Sequence, residues 1–150
     1  ARFWESVSGP SQGKKVFCNK SEAVAGFYII SQGCKGQPKC GAKRSTHPQE
    51  AIEQLRSYCE VVVVKLGSKG SMVCAGDEVV EVGIHPVKAI DTTGAGDSYA
   101  AGFLYGYSHN WPLRQCAELA SRVAALAVAQ LGAVVRNKQL LSDQVIAVRG

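Results

Sequence analysis

The sequence D-T-T-G-A-G-D, residues 91–97, is the stretch from which the fold of this 150-residue chain is most directly inferred. Its two glycines leave the backbone free to turn tightly, and the residues after them have helical periodicity, with Ala100, Phe103 and Tyr107 on one face. A glycine-rich turn therefore opens a helix. The N-terminus of a helix offers unpaired N–H groups and the positive end of a dipole, which favour a phosphate, and Asp97 lies in the first turn.

This arrangement of backbone donors and a carboxylate suits phosphoryl transfer to an alcohol. The N–H groups of Gly94, Ala95 and Gly96 can stabilise a migrating phosphoryl group, and the carboxylate of Asp97 can accept the hydroxyl proton. A structural interpretation is also open, in which the glycines only serve a strand-to-helix turn and Asp97 only favours the helix dipole.

The same seven residues, followed by a helix of small residues, closely resemble the second signature of the ribokinase-like (PfkB) carbohydrate and nucleoside kinases. The resemblance implies that Asp97 is the catalytic base and that Gly94, Ala95 and Gly96 form the anion hole. It also implies that ATP is the phosphoryl donor. The segment 99–106 looks most like the adenosine-kinase-like branch of the family.

A second motif follows a β-branched run upstream. Val61–Val64 predicts a strand buried on both faces in a parallel sheet, and it ends in K-L-G-S-K-G, residues 65–70. By itself this could be an ordinary strand-to-strand turn. It resembles the K-x-G-x-x-G stretch of the family, which implies that four residues lie against the nucleotide: Lys65, Gly67, Ser68 and Gly70.

A third motif, N-x-x-E, follows a predicted strand end at residues 16–18. Asn19 and Glu22 could simply start a helix. The resemblance implies that they help to arrange Mg²⁺, partly through water, and oxygen ligands are what this ion prefers. The segment 26–45 has no clear period and departs from the compact link expected there, as an insertion or an artefact would.

The resemblance also implies roles for residues around the glycine turn and the long helix after it. Asp91 and Thr93 are expected to shape a K⁺ site, and Thr92 is expected to bind the nucleotide. Ser121 and Gly132 are expected near the adenine, although Ser121 stands where many relatives have asparagine.

The remaining pattern predicts the other elements of an α/β fold. A capping box at residues 46–49 predicts a helix of about three turns with Ile52, Leu55 and Cys59 on its apolar stripe. A hairpin turning at Gly76-Asp77 is expected to join strands 71–75 and 78–82, with Val79, Val80 and Val82 keeping the second strand partly buried. A core helix from Leu113 is predicted to end at Gly132, and a short helix spans 137–148. His85 is interpreted as a loop residue outside the site.

Composition fits a soluble globular protein of one domain, with 46% hydrophobic and 19% charged residues. No run approaches the roughly 18 apolar residues of a membrane span, so no membrane partner is expected. The net charge of +5 is confined to residues 1–46, without a repeated basic-aromatic pattern, so nucleic-acid binding is not expected either.

The 6 cysteines form no C-x-x-C pair, which argues against zinc and favours free thiols in a reducing compartment. The expected location is the cytoplasm, or an organelle if an absent N-terminus carries a transit peptide.

These inferences combine into one expected architecture. The fold class is α/β and ribokinase-like, the C-terminal part of a mostly parallel sheet flanked by helices, with an antiparallel edge hairpin. Residues 1–14 are a ragged entry, and residues 15–150 are the C-terminal nucleotide-binding part of a kinase domain whose N-terminal half and lid are absent. The isolated chain is therefore expected to be inactive.

The complete protein is expected to use ATP, Mg²⁺ and K⁺, to act on a sugar or nucleoside, and to form a homodimer through the absent lid. The alternative is a non-catalytic ribokinase-like scaffold or regulatory protein.

Overall fold

A four-stranded sheet with strand order β1-β2-β3-β4 lies at the centre of the part of the chain that the computed structural model describes, residues 27–31, 48–56 and 60–150. The strands are β1 (Phe27–Ser31), β2 (Val61–Lys65), β3 (Ser71–Ala75) and β4 (Glu78–Val82), and the helices are α1 (Pro48–Leu55), α2 (Ala95–Ser108), α3 (Leu113–Val128) and α4 (Lys138–Arg149). The predicted ragged entry, strand end at 16–18 and N-x-x-E motif lie outside the described residues.

The sheet combines one parallel pair with two antiparallel pairs. β1 runs parallel to β2, with Phe27 opposite Val61, whereas β2–β3 and β3–β4 are antiparallel. The predicted hairpin at Gly76-Asp77 is therefore confirmed, and it ends the described sheet on the β4 side. Within β4, Val80 faces the core and Val82 is half-buried, but Val79 is 52% exposed because successive side chains of a strand point to opposite faces.

Strand β1 lies within the segment 26–45, interpreted from the sequence as an insertion or an artefact, and places residues 27–31 of it in the sheet. Phe27–Ser31 pairs along its whole length with Val61–Lys65. A short apolar run in a parallel sheet shows no alternation of polar and apolar residues, so periodicity alone did not reveal it.

Both faces of the sheet are covered by helices. Val61, Val63 and Val73 pack with α2 and α3 in one core cluster. On the other face, Val62 and Val64 pack with Ile52 and Leu55 of α1 in a second cluster. The prediction that the β-branched run is buried on both faces is confirmed.

Helices α2 and α3 approach each other closely at glycine. A Cβ added to Gly102 would lie 2.9 Å from the Cα of Ala120, and one added to Gly106 would lie 3.1 Å from the Sγ of Cys116. Phe103, on the same helix, is fully buried. The small residues of α2 therefore let the two backbones pack side by side over the sheet.

Two helix ends differ from the sequence predictions. α1 has 8 residues, about two turns rather than three, and Cys59 lies outside the described residues. α3 ends at Val128, before Gly132. The Val128 carbonyl accepts N–H groups from the segment before α2, from Ile90 at 2.7 Å and from Asp91 at 3.2 Å, instead of a donor of its own helix. Leu131, which lies within the longer predicted helix, is 82% exposed as a result.

α4, at Lys138–Arg149, agrees with the predicted final helix at 137–148. Among the described residues, no helix combines the length and the apolar character needed to cross a bilayer.

The contact at Gly102 gives a test of the helix packing. Gly102→Val should lower the free energy of unfolding by about 1–3 kcal/mol, since the added side chain forces α2 away from Ala120. The control is Ala101→Val, the neighbouring position on the exposed face of α2. Urea unfolding monitored by circular dichroism measures both, and equal effects would contradict the packing argument.

Candidate nucleotide and phosphate site

A cavity of about 470 Å³ opens between the turn after β2, the loop before α2, the first turn of α2 and one face of α3. Its lining is mostly apolar along the loop and α3, and richer in glycine and polar groups towards α2. The lining residues are Lys65, Gly67, Ser68, Gly70, Ile84, His85, Val87, Ala89, Thr92, Ala95, Gly96, Tyr99, Ser121, Ala124, Ala125 and Val128.

The turn after β2 forms one wall of the cavity. Gly67–Lys69 makes a single turn of 3₁₀-helix, and Gly67 and Gly70 both have positive φ, at 63° and 91°. A Cβ on Gly70 would collide with the backbone of Val82 and Gly83. Glycine is therefore required at Gly70 both for its backbone conformation and for the close approach of the chain after β4.

The first turn of α2 provides backbone donors at the other end. Gly94 lies before the helix in the left-handed conformation, with φ of 76°, and its carbonyl accepts the N–H of Ser98 at 2.9 Å. The Ala95 N–H donates to the Thr92 carbonyl at 3.3 Å. The N–H groups of Gly96 and Asp97 are first-turn donors without an acceptor in their own helix.

Lys65 joins the two walls. This last residue of β2 is half-buried, and its ammonium Nζ lies 3.4 Å from the carbonyl oxygen of Gly96. A Cβ added to Gly96 would lie 2.9 Å from the same Nζ. The absence of a side chain at Gly96 thus leaves room for the ammonium beside the first turn of α2.

The carboxylate of Asp91 fixes the turn before α2. It accepts the Thr93 N–H at 2.9 Å through Oδ1 and the Gly132 N–H at 3.1 Å through Oδ2. Hydrogen bonds from Thr93, and then from Gly132, lower the pKa of Asp91. Asp91 therefore links the glycine turn to the segment after α3.

The glycine turn and the segment after α3 also approach each other closely. A Cβ added to Gly94 would lie 2.6 Å from both the Cβ and the carbonyl oxygen of Ala133. Gly94 thus needs to be glycine for two reasons, its left-handed backbone and the proximity of Ala133.

Ser121 holds the apolar wall of the cavity in place. Its hydroxyl donates to the Gly83 carbonyl at 3.0 Å and accepts the His85 N–H at 2.9 Å. The Ser121 hydroxyl, expected from the sequence to lie near the adenine, therefore already donates its hydrogen to the backbone of the loop. His85, interpreted from the sequence as lying outside the site, lines the cavity. The hydrogen bond from its backbone N–H to Ser121 holds this part of the loop against α3.

Tyr99 is buried and lines the cavity on the side of β3. Its hydroxyl donates to the buried Ser71 Oγ at 2.6 Å, and burial raises the pKa of Tyr99 to about 12. Desolvation of the phenolate is the larger influence, since the hydrogen bond to Ser71 acts in the opposite direction. Tyr99 thereby ties α2 to β3 beneath the site.

The structure brings many of the predicted site residues together. Those that line the cavity are Lys65, Gly67, Ser68, Gly70, Thr92, Ala95, Gly96 and Ser121. Gly94, Asp97, Asp91, Thr93 and Gly132 lie at or beside the adjoining turn, and the Asp97 side chain is exposed.

The two residues predicted to arrange Mg²⁺, Asn19 and Glu22, lie outside the described residues. Within the described ranges, no group of three or more His, Cys, Asp or Glu side chains is placed to hold a metal ion.

Sequence reasoning missed Tyr99 and the apolar wall. Ala124 and Val128 lie within the core helix predicted from Leu113, so the helix was predicted but not its contribution to a cavity. Ile84 and Val87 carried no signal, because a loop residue becomes a lining residue only when the chain folds back onto α3.

Helices on both faces of the sheet, with a glycine turn opening α2 beside a cavity, define a ribokinase-like α/β domain. A family model described as pfkB family carbohydrate kinase matches residues 17–139. The chain belongs to this family.

Individual relatives agree with this assignment. A protein of Archaeoglobus fulgidus named as an uncharacterized sugar kinase is 46% identical over 74 residues, which are 49% of this chain and 30% of that protein. Ribokinase of Mus musculus is 33% identical over 119 residues, covering 77% of this chain and 34% of the relative.

Among solved structures, adenosine kinase from Sinorhizobium meliloti superposes with a TM-score of 0.69 at 30% identity, over 83% of this chain and 36% of that one. The chain thus spans about a third of the length of these relatives.

The contact between Gly94 and Ala133 can be tested against a glycine of the same backbone conformation. Gly94→Ala should lower the free energy of unfolding by about 1–2 kcal/mol for the left-handed residue and by about 1–3 kcal/mol more for the collision. Gly76→Ala is the control, because Gly76 has φ of 57° and open space around it, so only the first cost applies. Equal urea midpoints for the two variants would contradict the proposed crowding.

The raised pKa of Tyr99 predicts a specific loss of stability in alkali. The unfolded phenol ionises near pH 10 and the folded one near 12, so this contribution is fully present below pH 10 and is lost as the pH rises to 12. The loss should reach roughly 2 kcal/mol. In Tyr99→Phe, stability measured by urea unfolding should fall less steeply over this range than in the wild type. Tyr105→Phe, at an exposed tyrosine, is the control, and a slope changed equally by both variants would contradict the assignment to Tyr99.

Proposed function

We propose that the complete protein transfers the γ-phosphoryl group of ATP to an alcohol group of a sugar or nucleoside. The observation that carries this proposal is the cavity, whose apolar wall ends at the first turn of α2, where Gly96 and Lys65 meet. An apolar slot suits a base, and backbone donors beside an ammonium suit phosphates. Family membership supports the same reaction class.

In this proposal Asp97 is the general base. It lies in the first turn of α2, directly after Gly96, and its side chain is exposed and therefore open to an incoming hydroxyl. The acceptor oxygen would lose its proton to the Asp97 carboxylate as it attacks the γ-phosphorus, and ADP would leave.

The first-turn backbone would serve as the anion hole. The N–H groups of Gly96 and Asp97 have no acceptor in their own helix, and Gly94 shapes the turn that directs them. The Ala95 N–H already donates to Thr92 at 3.3 Å, a long hydrogen bond that a phosphoryl oxygen could replace.

The proposal includes two ions, K⁺ and Mg²⁺, and different residues support each of them. A K⁺ site at Asp91 and Thr93 is supported by the Asp91 carboxylate, which has lone pairs beyond the two that accept the Thr93 and Gly132 N–H groups. Mg²⁺ would neutralise phosphate charge when bound, and Asn19 and Glu22 remain the residues proposed to arrange it.

The wider assignments stay within the same proposal. The cytoplasm is the proposed location, in keeping with the free thiols of Cys74 and Cys116, and a homodimer would form through the lid region of the complete protein. A non-catalytic scaffold could use the unusual segment 26–45 as an added contact surface, and the pairing of Phe27–Ser31 within the sheet weakens that argument.

The decisive measurement is ADP release by the full-length protein with magnesium-ATP and a panel of sugars and nucleosides. One class of acceptor should support turnover, and Asp97→Asn should reduce its rate by about 10²–10⁴ because the base is lost while the shape is kept. Binding of ATP, measured by calorimetry, should persist in the variant.

The matched control is Asp143→Asn, the same change at an exposed aspartate on α4, which should leave the rate unaltered. Unchanged turnover in Asp97→Asn would remove this residue from the role of base. ATP binding without turnover on any acceptor would favour the scaffold alternative.

A further inference from the structure

A buried hydrogen bond between Tyr99 and Ser71 has no part in the chemistry proposed above. Among the described side chains, Ser71 is the one polar or charged residue that is buried, and its Oγ accepts the Tyr99 hydroxyl at 2.6 Å. A buried hydroxyl without a partner would cost free energy, so the two groups satisfy each other. A phenylalanine ring would fill the space without needing a partner. The Tyr99 hydroxyl therefore contributes something that packing alone does not.

Ser71 holds its end of this hydrogen bond in a fixed place. It is the first residue of β3 and is paired with Lys65 of β2 on one side and with Val82 of β4 on the other. It also directly follows Gly70, which lines the cavity at the end of the turn after β2. Groups on a paired strand are held more accurately than groups on a loop. The Ser71 hydroxyl therefore keeps a constant position relative to that wall of the cavity.

Tyr99 lies on α2, on the side of the helix opposite the proposed base. Successive residues of an α-helix are about 100° apart around its axis, so Asp97 and Tyr99 face nearly opposite directions. The Asp97 side chain is exposed, whereas Tyr99 is buried and lines the cavity. A rotation or a slide of α2 that moved the Tyr99 hydroxyl would also move Asp97. A contact that fixes Tyr99 therefore fixes where Asp97 lies.

The hydrogen bond adds a directional contact where α2 packs on the sheet. Ala100 and Phe103 of α2 lie in the same core cluster as Val63 and Val73, so this contact is largely apolar. Apolar packing has no directional requirement, whereas a hydrogen bond weakens when its length or angle changes. The hydroxyl of Tyr99 therefore restricts shifts of α2 that apolar packing alone would permit.

We propose that the hydrogen bond from Tyr99 to Ser71 positions the first turn of α2 relative to the turn after β2, and that it thereby controls the rate of phosphoryl transfer rather than the affinity for the nucleotide. The proposal rests on the proposed function and deepens it, because it adds a positioning residue for Asp97 and the anion hole. Tyr99 acts through the helix backbone and exchanges no proton with the substrate. Phosphoryl transfer depends on such positioning, since the acceptor oxygen, the phosphorus and the base must be aligned.

Variants of this pair separate the positioning role from packing. Tyr99→Phe removes the hydroxyl and keeps the ring that lines the cavity, and Ser71→Ala removes the acceptor. Tyr105→Phe makes the same change at an exposed tyrosine of the same helix and is the control. If the two hydroxyls act as one unit, the double variant Tyr99→Phe/Ser71→Ala should lose no more activity than the more affected single variant.

The test uses the full-length protein with magnesium-ATP and the sugar or nucleoside on which the wild type is active. Tyr99→Phe should lower kcat by about tenfold, because a small displacement of the base and the anion hole weakens catalysis strongly. The dissociation constant of ATP, measured by calorimetry, should change by less than about twofold, because the ring and the cavity walls are kept. Circular dichroism at the assay temperature checks that each variant is folded, and Tyr105→Phe should match the wild type.

Other results would overturn the proposal. An unchanged kcat in Tyr99→Phe would mean that the hydroxyl does not position the base, and it would leave the proposed kinase function standing. A parallel loss of ATP affinity would make Tyr99 only a support of the cavity. Losses that multiply in the double variant would mean that the two hydroxyls act independently. A wild-type protein without turnover on any acceptor would overturn the proposed function and this inference together.

Discussion

The left-handed backbone of Gly94 is the constraint on which the candidate site depends. Its conformation turns the chain into α2, and the lack of a side chain lets Ala133 lie against it. Asp91 completes the arrangement by accepting N–H groups from both sides of this contact. The direction of the first-turn donors therefore depends on a segment that follows α3, about forty residues later along the chain.

The cavity is built by segments that return to α3. The Val128 carbonyl accepts hydrogen bonds from the chain before α2. The Ser121 hydroxyl forms hydrogen bonds with Gly83 and His85 of the loop. These hydrogen bonds engage polar groups at the end and on the side of α3. The apolar side chains of the loop are left facing the cavity. Part of the cavity wall is thus formed by segments whose hydrogen bonds satisfy backbone groups.

Helix packing beneath the site explains why this surface can be shaped so closely. α2 and α3 meet at Gly102 and Gly106, and Tyr99 is tied to Ser71 of the sheet. Buried contacts of this kind leave little freedom to the helix that carries Asp97. The proposed general base and anion hole would need such support, because small displacements reduce catalysis strongly.

Local sequence patterns were sufficient to predict the α/β class, the hairpin, α2 and the glycine turn that opens α2. These are local features: glycine at 94 and 96 permits one kind of turn, a β-branched run permits one kind of strand, and N-x-x-E, K-x-G-x-x-G and D-T-T-G-A-G-D occur in an order typical of one family. The resemblance to this family also implied that Lys65, Ser121 and the glycines belong to one site.

The end of α3, the strand at Phe27–Ser31 and the place of His85 in the cavity could not be predicted from local patterns. In each case the outcome depends on a partner distant in sequence: Ile90 and Asp91 for the α3 carbonyl, β2 for β1, and Ser121 for the His85 loop. Periodicity and turn chemistry describe what a segment can form alone. They do not describe which hydrogen-bonding groups another segment will supply, and those groups determined where these elements begin, end and face.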